Sequence, residues 1–292
     1  LKALEHRSEA TARVVTESLP AVVFLQGAYG FREISSGRML RNVVDEEGRP
    51  LNAPLGQPLL SLEGNGPVAE RPFIGTGFVA GEKGVLITNR HVALPWENDA
   101  SVEALAGQGL KPEMIKFIFY VPGSPEAVDV ELFRASKNAD LAALRFKNED
   151  GPKNSLTLAA EPPAPGDEII VMGYPTGLRS MLAQSGDAFI EELQTSGDTE
   201  FWSVAARLAQ KRLIAPLASR GIVGQATPSA IVYDAETTHG GSGGPVLNID
   251  GEVVAVNAAI LPEYGGSNLG VPVSKVRLLL RGLGRLPSKS DN

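Results

Sequence analysis

The sequence predicts an all-β protein built as two antiparallel β-barrels, with helices added at both ends and once within the second barrel. Three observations predict it. Short apolar runs of strand length recur along the chain between clusters of turn residues. The 32 glycines and 21 prolines suit a strand-and-turn protein better than a helical one. The 292 residues correspond to about two domains of ~150 residues, one per barrel, with a cleft between them.

Residues 1–20 are expected to form a helix, with Ala3, Ala10 and Val14 on one face and Pro20 at its end. The first barrel is expected over 21–150, opening with the buried strand Ala21-Val22-Val23-Phe24-Leu25. Within it, residues 32–72 are an insertion: a turn at Asp45-Glu46-Glu47-Gly48, an extra hairpin, then a proline-rich crossing through Pro50, Pro54, Pro58, Pro67 and Pro72. Phe73–Ala80 and Val85–Thr88 read as a hairpin around Gly81-Glu82-Lys83-Gly84. A polar excursion follows, with a short helix near Ser101–Leu105, then strands at 115–121, 127–133 and 140–146. Gly151-Pro152-Lys153-Asn154 marks the linker.

The second barrel is expected over 155–283, beginning with a strand at 167–172 that ends on Gly173-Tyr174-Pro175. Residues 180–214 form a helical insertion, with Phe189, Ile190 and Leu193 on one face and Trp202, Ala205 and Leu208 on another. Strands resume at 217–226, 229–233, 252–260 and 269–273. Ser274 is a plausible cap for a closing helix to Leu283, and the polar tail 284–292 is expected to fray.

The net charge of −7 comes without a basic block, so nucleic acid is not an expected partner. No apolar run approaches the ~18 residues of a membrane span. The chain has no cysteine and therefore no disulfide. It opens on Leu1 and shows no signal peptide, as expected of a mature or trimmed chain.

The chemistry concentrates at Gly240-Gly241-Ser242-Gly243-Gly244-Pro245. A serine among glycines has a closely approachable backbone that can present bare N–H groups, which acyl transfer to a hydroxyl requires. By itself the stretch is equally a flexible turn. A serine nucleophile needs a base and a group to orient it. His91 stands where the apolar run Val85-Leu86-Ile87-Thr88 ends, and Asp140 opens the run Asp140–Phe146. The third and last histidine besides His91 and His239, His6, falls on the first helix. Gly240-x-Ser242-x-Gly244 also fits the nucleophile elbow of α/β-hydrolases, but that fold places its histidine after the serine and none follows here. Cysteine chemistry is excluded by composition, and no His-Glu-x-x-His motif supports a zinc hydrolase. A subtilisin-like order would need an acid before His91, and Asp45 lies in a turn.

Thr76-Gly77-Phe78, Ile87-Thr88-Asn89-Arg90-His91-Val92, Asp140-Leu141-Ala142 and Gly240–Pro245 together resemble the landmark motifs of trypsin-like serine peptidases, over about residues 21–283. Their flavour is similar to the bacterial Deg/HtrA and glutamyl-endopeptidase branches, and no room is expected for a carboxy-terminal PDZ-type domain. The resemblance implies two six-stranded barrels and a serine endopeptidase without cofactor or metal, acting on peptides or proteins. His91 would be the base, Asp140 its orienting acid and Ser242 the nucleophile, with the N–H groups of Gly240 and Ser242 as oxyanion donors. Asp129, the competing acid, sits in an alternating strand and is expected to face solvent.

The same resemblance implies a substrate pocket from Glu236, Thr237, Thr238, His239, Asn257, Ala258, Ala259 and Gly270. Glu236 occupies the position of trypsin's pocket aspartate. An inward carboxylate would select Arg or Lys; an outward one, the favoured outcome, leaves a pocket for small or medium uncharged residues. Thr237 and Thr238 resemble a threonine pair of the glutamyl endopeptidases, but Asn257 stands where that branch has a histidine. A bacterial periplasmic or secreted location is the corresponding expectation. The alternative function is a catalytically silent scaffold of the same fold, with 180–214 as a protein-docking face.

Overall fold

The structure is a computed structural model that describes residues 2–281 except 55, 82–83, 148, 150, 175–176, 198, 237–239 and 262–266; residues 2–8 and 259–261 are described by backbone alone. The chain divides into two compact units: Leu1–Leu25, Ile74–Ala93 and Ile118–Asn292 in one, Gln26–Phe73 and Leu94–Phe117 in the other.

From the amino terminus the elements are α1 (Lys2–Ser18), β1 (Val22–Glu33), β2 (Arg41–Asn42), β3 (Leu60–Ser61), β4 (Arg71–Val79) and β5 (Val85–Thr88). The short helices α2 (Arg90–Ala93) and α3 (Ser101–Ala106) follow, then β6 (Leu110–Tyr120), β7 (Ala127–Asp129), β8 (Glu131–Ala135) and β9 (Ala142–Arg145). These strands form a seven-stranded sheet in the order β7-β6-β1-β4-β5-β9-β8, with β2 and β3 apart as a small pair. The first barrel was expected to have six strands. The seventh arises because β7 and β8 are one extended stretch interrupted only at Val130, pairing with β6 before the break and with β9 after it. The extra hairpin expected within 32–72 shrinks to two-residue strands plus isolated bridges such as Val44↔Pro50 and Asn52↔Pro58. Proline has no N–H to extend a ladder, so each bridge stays isolated.

The chain continues with β10 (Glu168–Gly173), the helices α4 (Leu178–Gln184), α5 (Asp187–Ser196) and α6 (Phe201–Gln210), then β11 (Leu217–Ala226) and β12 (Ile231–Tyr233). It ends with β13 (Pro245–Asn248), β14 (Val253–Leu261), β15 (Ser267–Pro272) and α7 (Val273–Arg281). The six strands close into a barrel, β10-β11-β12-β15-β14-β13, sealed by β10 against β13 with Ile170 opposite Leu247. The helix expected to start after Ser274 instead starts at Val273, so Ser274 lies in its first turn rather than at its cap.

Phe189 and Leu193 of α5 and Ala205 and Leu208 of α6 are buried, whereas Ile190 and Trp202 are partly exposed. The buried four join one hydrophobic core with Ile170, Met172 and Leu247 of the barrel. The apolar stripes of the helical insertion are therefore used in packing, and its outward faces are polar.

Candidate active site

The strand β5 is wholly buried and apolar until Thr88, which anchors the turn that follows. Thr88 Oγ1 donates to Thr76 O (2.7 Å), and the buried Asn89 donates from Nδ2 to Asp140 O (2.9 Å). The polar residues thus stop the strand and turn the chain into α2, which carries His91. Asp140 sits just before β9, the strand that pairs with β5. Its carboxylate grips His91 twice: Oδ1 accepts the His91 backbone N–H (3.0 Å) and Oδ2 lies 2.7 Å from ring Nδ1. That grip fixes both the ring's orientation and, with a proton on Nδ1, the tautomer that leaves Nε2 as the acceptor. Burial works to raise the Asp140 carboxyl, but the His91 ring hydrogen bond and charge, with the backbone N–H groups of His91 and Arg90, outweigh it and hold the carboxyl below its ordinary value. Asp129, on β7, is exposed and lies opposite Ile118.

Ser242 lies on the loop between β12 and β13. Its conformation depends on two glycines with positive φ, Gly240 (+94°) and Gly243 (+90°). A Cβ at Gly240 would overlap Tyr174 O, and one at Gly243 would overlap Thr76 O and Thr88 Oγ1. Only glycine permits both the dihedrals and the close backbone approach.

Three consecutive loop carbonyls are held from inside the protein. Thr76 Oγ1 donates to Gly240 O (2.7 Å), Asn257 Nδ2 to Gly241 O (3.0 Å), and Thr76 N to Ser242 O (2.9 Å). Thr76 Oγ1 also accepts Tyr174 N–H (3.0 Å), which fixes the direction of its own proton toward Gly240. Asn257 is oriented in turn by Tyr233 OH, which donates to its Oδ1 (2.6 Å); burial raises the Tyr233 phenol and keeps that proton in place. With its carbonyls turned inward, the loop leaves the N–H groups of Gly240 and Ser242 without a partner among the described residues.

The Ser242 hydroxyl donates to Ala258 O (3.2 Å). That carbonyl is available because β14 slips register against β15 between Asn257 and Ala259. No hydrogen bond joins Ser242 to His91 among the described residues. A relay of hydrogen bonds runs from Ser242 through Thr76 to Thr88, three residues before His91.

The residues expected around the substrate pocket separate. Glu236 is exposed, and its backbone N–H is held by Ser219 Oγ (2.8 Å). Asn257 is 2% exposed with its amide engaged on both sides, so it braces the serine loop rather than lining open space. Gly270 is buried in the barrel wall, where a Cβ would lie 2.8 Å from Ala255 Cβ. Ala258 supplies the carbonyl that meets Ser242. Ala259 is placed only by its pairing with Leu269, and Thr237, Thr238 and His239 lie outside the described residues. Thr76 is the site residue without an assigned role in the sequence analysis. Its signal was a hydroxyl inside the otherwise apolar run Phe73–Val79, in the motif Thr76-Gly77-Phe78.

Comparison with known proteins agrees with this fold. The family model for the trypsin-like peptidase domain matches residues 75–256, more than half of the chain. The periplasmic serine endoprotease DegP of Escherichia coli is 24% identical over 271 residues, covering 89% of this chain and 47% of that protein. A probable DegP-like periplasmic serine endoprotease of Brucella suis is 28% identical over 206 residues, covering 69% of this chain and 30% of that protein. The chain thus spans about half the length, or less, of these relatives. Among solved structures, the active form of the Rv3671c protease of Mycobacterium tuberculosis superposes with a TM-score of 0.55 at 16% identity, covering 96% of this chain and 88% of that one. A serine endoprotease from Yersinia pestis gives 0.53 at 16% identity, covering 93% and 65%. The chain belongs to the trypsin-like peptidase domain family, and its similarity runs to the Deg/HtrA serine proteases.

Proposed function

We propose that this chain is a serine endopeptidase that cleaves peptide bonds through an acyl-enzyme, with Ser242 as nucleophile, His91 as base and Asp140 as the residue positioning His91. The observation that carries the proposal is the two-point Asp140–His91 contact together with a serine loop whose Gly240, Gly241 and Ser242 carbonyls are held inward. In the reaction, the Ser242 hydroxyl leaves Ala258 O and turns about its Cα–Cβ bond to donate to His91 Nε2. Apo geometries of this kind tighten on substrate binding. As Oγ bonds to the scissile carbonyl carbon, its proton passes to Nε2 and the Asp140 carboxylate stabilises the resulting imidazolium. The N–H groups of Gly240 and Ser242 receive the oxyanion. His91 then returns the proton to the leaving amine, and water, activated by the same imidazole, releases the acyl group.

The substrates are peptides or proteins, by analogy with the protease relatives. Among the described residues no helix is long and apolar enough to cross a membrane. The periplasmic relatives support an extracytoplasmic location in a bacterium.

A fluorophosphonate probe and a fluorogenic peptide library test the proposal. Ser242→Ala should abolish labelling and lower kcat by roughly 10⁴–10⁶, as should His91→Ala, with the double variant little worse because the pair acts as a unit. Undiminished turnover by pure Ser242→Ala protein would refute it. A folded wild-type chain that neither labels nor cleaves would favour the silent scaffold.

A further inference from the structure

A cavity of about 360 Å³ opens on the second barrel, in a part of the chain that contributes nothing to the Ser242 loop. Five of its lining residues are proline, among them Pro163 and Pro228, and Ile231 and Val254 of the barrel add apolar wall. At the ~30 Å³ that a water-sized group occupies, it holds about ten to twelve non-hydrogen atoms.

One wall is the end of β15 and the start of α7: Pro272, Val273 and Ser274 line the cavity, and Arg277 lines it one turn further on. Arg277 has no hydrogen bond or ion pair among the described residues, and its Nη2 is buried without a partner. A buried guanidinium nitrogen left unpaired is costly, and among the described residues no acidic side chain lines the cavity to relieve it. The first-turn N–H groups of α7 add positive potential on the same side, since they have no partner within the helix.

We propose that this cavity binds an aliphatic carboxylate: the carboxylate against Arg277 at the start of α7, the hydrocarbon among the prolines, Ile231 and Val254. The apolar lining selects this class over a peptide carboxy-terminus. Proline contributes no N–H, and among the described residues the polar side chains of the wall are only Thr227, Ser274 and Arg277. The amides of a peptide would be buried there without partners, whereas an acyl chain has none to satisfy.

The probe is decanoate, titrated calorimetrically into the whole chain, with decanol, acetate and a short apolar peptide with a free carboxylate as comparisons. One decanoate should bind saturably with Kd below about 1 mM and with a negative heat-capacity change. Decanol and acetate should each bind at least about tenfold more weakly, because one lacks the charge and the other the apolar surface. Arg277→Gln should weaken decanoate by about tenfold or more. Ser274→Glu, at an exposed position on the wall, offers Arg277 an internal carboxylate and should abolish binding while leaving the melting temperature unchanged or raised. This second variant keeps the test valid if Arg277→Gln fails to fold. No saturable binding, equal binding of decanol, or full binding by both folded variants would overturn the proposal. A peptide that outcompetes decanoate would overturn the choice of an aliphatic ligand. None of these readouts uses peptidase activity, so they stand apart from the proposed function.

Discussion

Thr76→Val removes one oxygen and keeps the shape and β-branching that suit a strand. Thr76 is fully buried, and its hydroxyl serves two backbone groups: it donates to Gly240 O at 2.7 Å and accepts from Tyr174 N at 3.0 Å. The valine leaves a carbonyl and an N–H buried and unpaired, each worth about 1–3 kcal/mol, so unfolding stability should fall by about 2–6 kcal/mol. Catalysis should suffer separately. Gly240 O, in the 240–241 peptide, is one of the anchors that turn the loop's carbonyls inward, and without it the adjoining peptide that carries the Gly240 N–H is held less firmly. A missing oxyanion donor costs ~10²–10³ in kcat. A misdirected donor retains part of its effect, so kcat should drop by about 10–10² with a smaller change in KM. Thr76→Ser restores the hydroxyl and should recover kcat to within about threefold, with only the loss of a buried methyl, about 1 kcal/mol. The assays are urea unfolding and steady-state cleavage of one fluorogenic peptide by all three proteins. A folded Thr76→Val protein with kcat/KM within about threefold of wild type would refute the role of Thr76 as the loop's anchor.

Asp140 has a folded-state carboxyl held below its ordinary value, so its contribution to stability is present above the unfolded pKa, about 3.9, and is lost as pH falls through the lower folded value. The melting-temperature gap between wild type and Asp140→Asn should therefore narrow below about pH 4, and a gap constant from pH 7 to pH 3 would contradict the linkage. Leu208→Ala, at a fully buried position on α6, should cost about 2–4 kcal/mol in urea unfolding; a near-zero cost would mean that the helical insertion does not share the barrel's core. Glu236→Gln should leave the profile of preferred cleavage residues unchanged, since the Glu236 side chain is exposed. A library profile that loses Arg and Lys preference in this variant would place the carboxylate in the substrate pocket.

Local pattern alone determined much of this protein. The β5 run, the turn glycines and the helical spacing of 180–214 are short-range signals that each element satisfies within its own residues. The Gly–Ser loop and the order His91, Asp140, Ser242 stand out in the sequence because the proposed chemistry demands particular residue types, and few histidines compete for the proposed roles. Tertiary structure decided what depends on partners far apart in the chain. Thr76 stood in a landmark motif, but its role could not be read until Gly240, 164 residues away, was set against its hydroxyl. Asn257 was expected at the substrate pocket, but the barrel buries it between Tyr233 and Gly241, and burial commits a polar side chain to whatever partners surround it. The resting direction of the Ser242 hydroxyl follows from a register slip in β14, and a slip is a property of two paired strands that neither strand's sequence contains by itself.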